Sequence, residues 1–219
     1  MSTFDPDCRA CARLASFLDD VGTQFPEYHA RPVPPFGDAK AGLLIVGLAP
    51  GMHGANATGR PFTGDYAGLL LYRTLHEFGF ADAPESLHAQ DALKLTACRI
   101  TNAVKCLPPA NKPMGSEIRQ CNPFLAEEIG TLPRNAVVIA LGKIAHDAVL
   151  KALALKLSAH RFGHGREHDL NGRLLLDSYH CSRYNTQTRR LTDTMFKAVF
   201  STAREAMERR GLMEYTHHK

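Results

Sequence analysis

Four short apolar runs, at residues 43–48, 100–104, 137–141 and 174–179, constrain this chain more than any other feature. Each is too short for a buried helix, is rich in Val, Ile and Leu, and is followed by a polar loop and then a stretch with helical spacing. Helices are expected at about 9–21, 67–78, 116–130, 143–155 and 192–210. Strand–helix alternation of this kind gives an α/β fold, a parallel sheet with helices on both faces. Asn171-Gly172, between residues 166–170 and the last run, is a strong hairpin signal and predicts an antiparallel edge strand. The unusual residues gather just past the four strands, at 47–51, 102–106, 142–143 and 178–183. In an open parallel sheet those ends converge on one crevice, where ligands bind.

Composition narrows the setting. A 44% hydrophobic content over 219 residues is enough for one core. No repeat, low-complexity tract or linker divides the chain, so residues 1–219 are read as a single domain. A net charge of +4 tolerates a polyanionic partner without demanding one. No apolar run reaches the roughly 18–20 residues that span a bilayer. The opening Met1-Ser2-Thr3-Phe4-Asp5-Pro6 lacks the features of a signal peptide, so a reducing cytoplasm is expected. The six cysteines are then expected to be ligands or buried thiols rather than disulfides.

Cys8-x-x-Cys11, Cys106 and Cys121 form a close pair and two separated singles. A double-knuckle zinc site would want a second close pair. A [4Fe–4S] cluster needs only four thiolates that converge in space. Spacing alone leaves cluster, zinc and ordinary core thiols all open. Cys98 and Cys181 are read as core or loop thiols.

Residues 47–65 are too polar and glycine-rich for a core element, and contain neither a dinucleotide-binding nor a phosphate-loop signature. They form either a ligand loop or a structural turn. Residues 178–192 carry a histidine, three arginines and several hydrogen-bonding side chains without apolar periodicity. That loop either grips phosphates and enters a groove, or is solvated and capped by Thr192. His160, His164 and His168 recur every four residues, but Gly163 and Gly165 argue against a helical metal face. His217-His218 belongs to a tail, about 211–219, expected to be disordered.

Gly47-Leu48-Ala49-Pro50-Gly51, Gly59-Arg60-Pro61-Phe62-Thr63-Gly64-Asp65, Asn102-Ala103-Val104-Lys105-Cys106 and Ser178-Tyr179-His180-x-Ser182-Arg183-x-Asn185-Thr186 together resemble the family 5 uracil-DNA glycosylases. With the four cysteines, the resemblance extends from about Cys8 to Met207. The related family 4 enzymes carry an acidic residue where this chain has Leu48. The resemblance implies a three-layer α/β/α sandwich around a four-stranded parallel sheet, and a [4Fe–4S] cluster on Cys8, Cys11, Cys106 and Cys121. It also implies excision of uracil and related deaminated or damaged bases from DNA by a chain that acts as a monomer. Cys181 and Arg189 depart from the family pattern, which has proline and commonly glycine there. Both fall in the expected DNA-inserting loop.

The same resemblance distributes roles. His180 would stabilise the charge developing on uracil O2, and Asp65 would orient water and offset charge on the sugar, with a helix cap as its competing role. Phe62 would stack on the flipped base, and Asn102 would pair with its edge. Ala49 and Gly51 would line the pocket without polar side chains. Ser182, Arg183, Asn185, Arg190 and Leu191 would hold the DNA backbone or fill the gap that flipping leaves. No motif places a lysine at the sugar, so hydrolysis to an abasic site is expected, without strand cleavage. A non-catalytic iron–sulfur DNA-binding or redox module is the alternative from another class, and would not need His180 with Asp65. A nucleotide hydrolase is disfavoured by the missing phosphate loop.

Overall fold

A computed structural model of the chain describes residues 4–213. Its centre is a six-stranded sheet of β1 (Phe36–Gly37), β2 (Leu43–Gly47), β3 (Cys98–Asn102), β4 (Val137–Leu141), β5 (Glu167–Leu170) and β6 (Arg173–Ser178). The spatial order is β1-β3-β2-β4-β6-β5. The central four strands are parallel, as expected, and β1 and β5 add antiparallel edges. The four-stranded count is thus corrected to six. The Asn171-Gly172 hairpin joins β5 to β6, with both residues at positive φ.

Side-chain alternation along each strand builds the layers. Leu43, Ile45, Val137, Ile139, Leu174 and Leu176 face a layer made by α3 (Tyr66–Glu77) and α7 (Asp193–Arg209). Leu44, Val46, Val138, Ala140 and Leu175 face α4 (Gly115–Thr131) and α5 (Lys143–Ala152). Strands apolar on both faces in sequence are therefore buried on both faces in the fold. An N-terminal helix, α1 (Ala12–Gln24), packs outside these layers through Leu14, Leu18 and Val21.

Three expectations shift. Strand β3 ends at Asn102 rather than 104, because the Ala103 and Val104 amides turn to donate to Gly47 and Leu48 carbonyls across the end of β2. Two segments expected to be loops contain one-turn helices, α2 (Ala55–Thr58) and α6 (Arg183–Gln187), too short to show periodicity. Residues 211–213 of the tail expected to be disordered are packed instead, since the Leu212 amide bonds Met207 O and its side chain lies on the α3/α7 layer. His217-His218 lies outside the described residues. Among the described residues no helix is long and apolar enough to cross a membrane.

Candidate functional site

The loops after β2, β3, β4 and β6 enclose a cleft of about 900 Å³. Eight of the residues expected in a site line it: Ala49, Gly51, Phe62, Asp65, Asn102, His180, Ser182 and Arg183. They come from three separate strand ends, those of β2, β3 and β6, which is what a parallel sheet can bring together and a contiguous motif cannot.

Phe62 is held in the left-handed region, at φ 55°, with its ring nearly stacked on His180 at 5.9 Å between centroids. The backbone around it is pinned from behind. Tyr72 Oη donates to Pro61 O at 2.8 Å, and the Thr63 and Ser86 hydroxyls bond at 2.7 Å. Arg60, buried, bonds Ser86 and Asp91 and stacks over Phe36. It anchors the loop rather than reaching for a ligand.

Asn102 is 3% exposed, yet its side-chain amide makes no hydrogen bond among the described residues and lines the cleft. The amide is therefore free to pair with the edge of a ligand in the cleft. Its carbonyl is fixed by Lys105 Nζ at 2.9 Å, itself paired with Glu128 at 2.6 Å in the interior.

Asp65 divides its carboxylate between two tasks. Oδ1 accepts the Gly68 amide at 2.8 Å and caps α3, while Oδ2 faces the backbone of Gly51 and Gly54. A Cβ on Gly54 would lie 2.5 Å from Oδ2, so only glycine leaves that oxygen its place. Burial pushes the carboxyl above its ordinary 3.8, against the opposing pull of the Gly68 and Ala67 amides. His180 keeps a partly exposed edge, yet protein packs its ring closely enough that lost hydration pulls its pKa down to about 4. It is neutral at pH 7 and offers an N–H donor without a full positive charge.

A family model of the uracil DNA glycosylase superfamily matches residues 34–204. Type-5 uracil-DNA glycosylases are similar to the chain across most of its length. That of Thermus thermophilus is 49% identical over 203 residues, 90% of this chain and 92% of the relative. That of Mycobacterium bovis is 42% identical, covering 90% and 77%, and that of Pyrobaculum aerophilum 38% identical, covering 91% and 89%. The chain belongs to the uracil DNA glycosylase superfamily, in its type-5 branch.

In this type-5 chain the terminal loop differs from expectation. Leu191 is 1% exposed and belongs to the α3/α7 core, so it does not project to fill a gap in DNA. Cys181 is likewise fully buried, a thiol raised in pKa by loss of hydration, and not a residue of the loop's outer surface. Asn185 Nδ2 donates to His180 O at 2.8 Å and positions the histidine from behind. Arg190 lies outside the cleft, its guanidinium 4.7 Å over the Tyr179 ring. Tyr184, 71% exposed on α6, is the large apolar side chain that this loop does present. Sequence reasoning also missed His53 at the mouth of the cleft, where Tyr28 Oη bonds its Nδ1 at 2.8 Å.

Beneath β6 lies a polar cluster of residues far apart in sequence. Asp177, fully buried, bonds His146 Nδ1 at 2.7 Å and His168 Nε2 at 2.9 Å, and accepts the Gly163 amide at 3.0 Å. His146 Nε2 meets His160 O at 2.8 Å. Both His146 nitrogens face acceptors, so both carry protons. Burial opposes that charge, but Asp177 outweighs it and raises the imidazole pKa. His160, His164 and His168 do not share a helix face: His168 lies on β5 and the other two in the segment before it. His164 Nδ1 accepts the Tyr179 amide at 3.1 Å, and His168 serves Asp177.

Cys8, Cys11, Cys106 and Cys121 line one cavity between α1, α4 and the segment after β3. Burial raises the Cys106 thiol to about 12, and each of the other three thiols adds to the rise. The Lys105 amide donates to Cys121 Sγ at 3.3 Å.

Proposed function

We propose that this chain is a monofunctional uracil-DNA glycosylase of base excision repair, acting as a single-domain monomer on DNA that carries uracil or related damaged bases. The observation that carries the reading is the convergence, in one cleft, of an unpaired amide, a neutral histidine and a half-engaged carboxylate.

The chemistry follows from those groups. Asn102 presents a donor and an acceptor to the base edge, while Phe62 supplies an aromatic face. As the N-glycosidic bond lengthens, negative charge gathers on the base, and the His180 N–H stabilises it. Positive charge spreads on the sugar, where Asp65 Oδ2 offsets it and orients the attacking water. Ala49 and Gly51 leave room for that water beside the carboxylate. No lysine joins the sugar site in this scheme, and an abasic site is the product.

The four cysteines would hold a [4Fe–4S] cluster, which needs only four thiolates that converge in space, and all four face one cavity. The cluster's part is structural: it ties α1 to α4 and to the end of β3. Arg183 and Ser182, with Arg190 outside the cleft, would meet the DNA backbone.

A single-turnover assay tests the function. Labelled oligonucleotides containing uracil, hypoxanthine, xanthine or ethenocytosine are incubated with the protein and then cleaved at abasic sites with alkali. Uracil excision is expected, and its absence from protein loaded with iron would refute the reading. Anaerobic purification should give about four irons per chain, and colourless, zinc-bearing protein would refute the cluster.

A further inference from the structure

Beside the cleft runs a second depression of about 560 Å³, between α3 and the connection from α6 to α7. Tyr66 lines both, so the two are continuous around one ring. Thr186 Oγ1 donates to Tyr66 Oη at 3.3 Å and fixes that ring on the ridge. On the far side lie Leu69, 45% exposed, and two arginines, Arg73 and Arg189.

The arginines are the unusual feature. Both are exposed, and neither side chain makes a hydrogen bond or ion pair among the described residues. The acid at the same groove, Asp193, is already engaged by Lys197 at 3.1 Å. Arg189 also sits at φ 56°, a conformation that strains an arginine and would not strain a glycine. Backbone strain kept at an exposed cationic residue has no return in the packing of the chain. It has one if the guanidinium is needed where it stands.

We infer that this groove receives the DNA strand where it continues past the flipped nucleotide, its phosphates met by Arg73 and Arg189 and a neighbouring base set against Tyr66. The inference rests on the glycosylase reading. Charge and continuity both select this occupant. A strand whose damaged nucleotide fills the cleft must leave over its rim, and this rim leads to two unpaired guanidinium groups suited to phosphate. Aromatic faces accept any base, so the subsite would not read sequence. The groove lies on one side of the cleft, so the strand is gripped asymmetrically, on its 5′ or its 3′ side but not on both.

The test uses fluorescence anisotropy with three single-stranded probes. Each carries 2′-fluoro-2′-deoxyuridine, which resists hydrolysis: a trinucleotide, the same extended by six nucleotides on its 5′ side, and the same extended on its 3′ side. Wild-type protein should gain more affinity from one extension than from the other. In Arg73→Ser/Arg189→Gly that extra gain should fall by about tenfold, as expected for losing two charge-assisted contacts. The salt slope should drop by about 1.4 with that probe alone, at about 0.7 per phosphate contact on a single strand. Arg189→Gly by itself should raise the melting temperature while weakening binding of the same probe, a pairing that general destabilisation cannot produce. Equal losses on both extensions, or none, would overturn the inference. Failure of the glycosylase reading would show differently, as wild-type protein that binds the probes asymmetrically and excises nothing.

Discussion

A single methyl group added at residue 47 tests the base site without removing any of its groups. Gly47 ends β2, directly opposite Asn102 in the ladder. A Cβ built there would lie 2.7 Å from Phe62 Cζ and 2.8 Å from Cε2, and would overlap Asn102 Oδ1. Carbon atoms rest at about 3.5–4.0 Å, so the ring must give way by about 1 Å. It cannot do so by sliding its backbone. Phe62 is at φ 55°, and its carbonyl presses so closely on Gly68 that a Cβ there would overlap it. The displacement therefore falls on the Phe62 ring and the Asn102 amide. A misplacement of about 1 Å costs roughly 100-fold in rate, whereas overpacking costs about 1–3 kcal/mol of stability. For a chain of this size that is a fall of about 2–4 °C in melting temperature per kcal/mol. Gly47→Ala should thus remain folded and excise uracil about 100-fold more slowly in single turnover. Excision at the wild-type rate would refute the placement of Phe62 and Asn102 around the base.

Three further outcomes are expected. Asp65→Asn keeps a capping side chain while Asp65→Ala loses it, so both should slow excision by on the order of 10²-fold but only the alanine should cost about 1 kcal/mol in denaturant unfolding; equal stability losses would contradict the divided carboxylate. Lost hydration holds the His180 pKa down at about 4 and raises the Asp65 carboxyl; a proton gained by His180 leaves its N–H donor in place, whereas one gained by Asp65 removes the charge that the sugar needs, so the acid limb of the excision rate belongs to Asp65. As pH falls, Asp65 gains its proton and the rate drops, so Asp65→Asn should abolish the limb; a limb removed by His180→Gln instead would reverse the assignment. Leu191→Ala should lose about 2–5 kcal/mol of stability, as a buried leucine does, with the salt dependence of DNA binding unchanged; a normal melting temperature with weakened binding would return Leu191 to the DNA surface.

The central sheet was legible because its strands are buried on both faces and so appear as unbroken apolar runs between loops. Most of the cleft was legible for a related reason. Residues 47–65 and 178–183 are too polar for a core, and a parallel sheet delivers every such loop to one end. The edge strand β1, two residues long, carries no periodicity to read. Leu191 looked like an exposed wedge because its neighbours Arg189 and Arg190 are polar, yet with Cys181 it returns the loop to the core. Arg60, within a motif of ligand-binding character, proved to be an interior brace, a distinction that depends on Asp91 thirty-one residues away. The second role of Asp65 and the pairing of His146 with Asp177 likewise arise only once distant segments meet.

That last pairing bears on how the chain avoids folding into the wrong form. Asp177 lies on the α5 face of β6, where two imidazoles and an amide receive it. If β6 paired with β4 one residue out of step, Asp177 would turn to the opposite layer, where Leu174 and Leu176 now pack among apolar side chains. A lone carboxylate there costs several kcal/mol, a large part of a typical domain's total stability. The same slip would carry His180 about 3.3 Å along the strand. The error that would misplace the histidine is therefore the one the fold least tolerates. Misregistered molecules should unfold and try again rather than persist as compact, inactive copies.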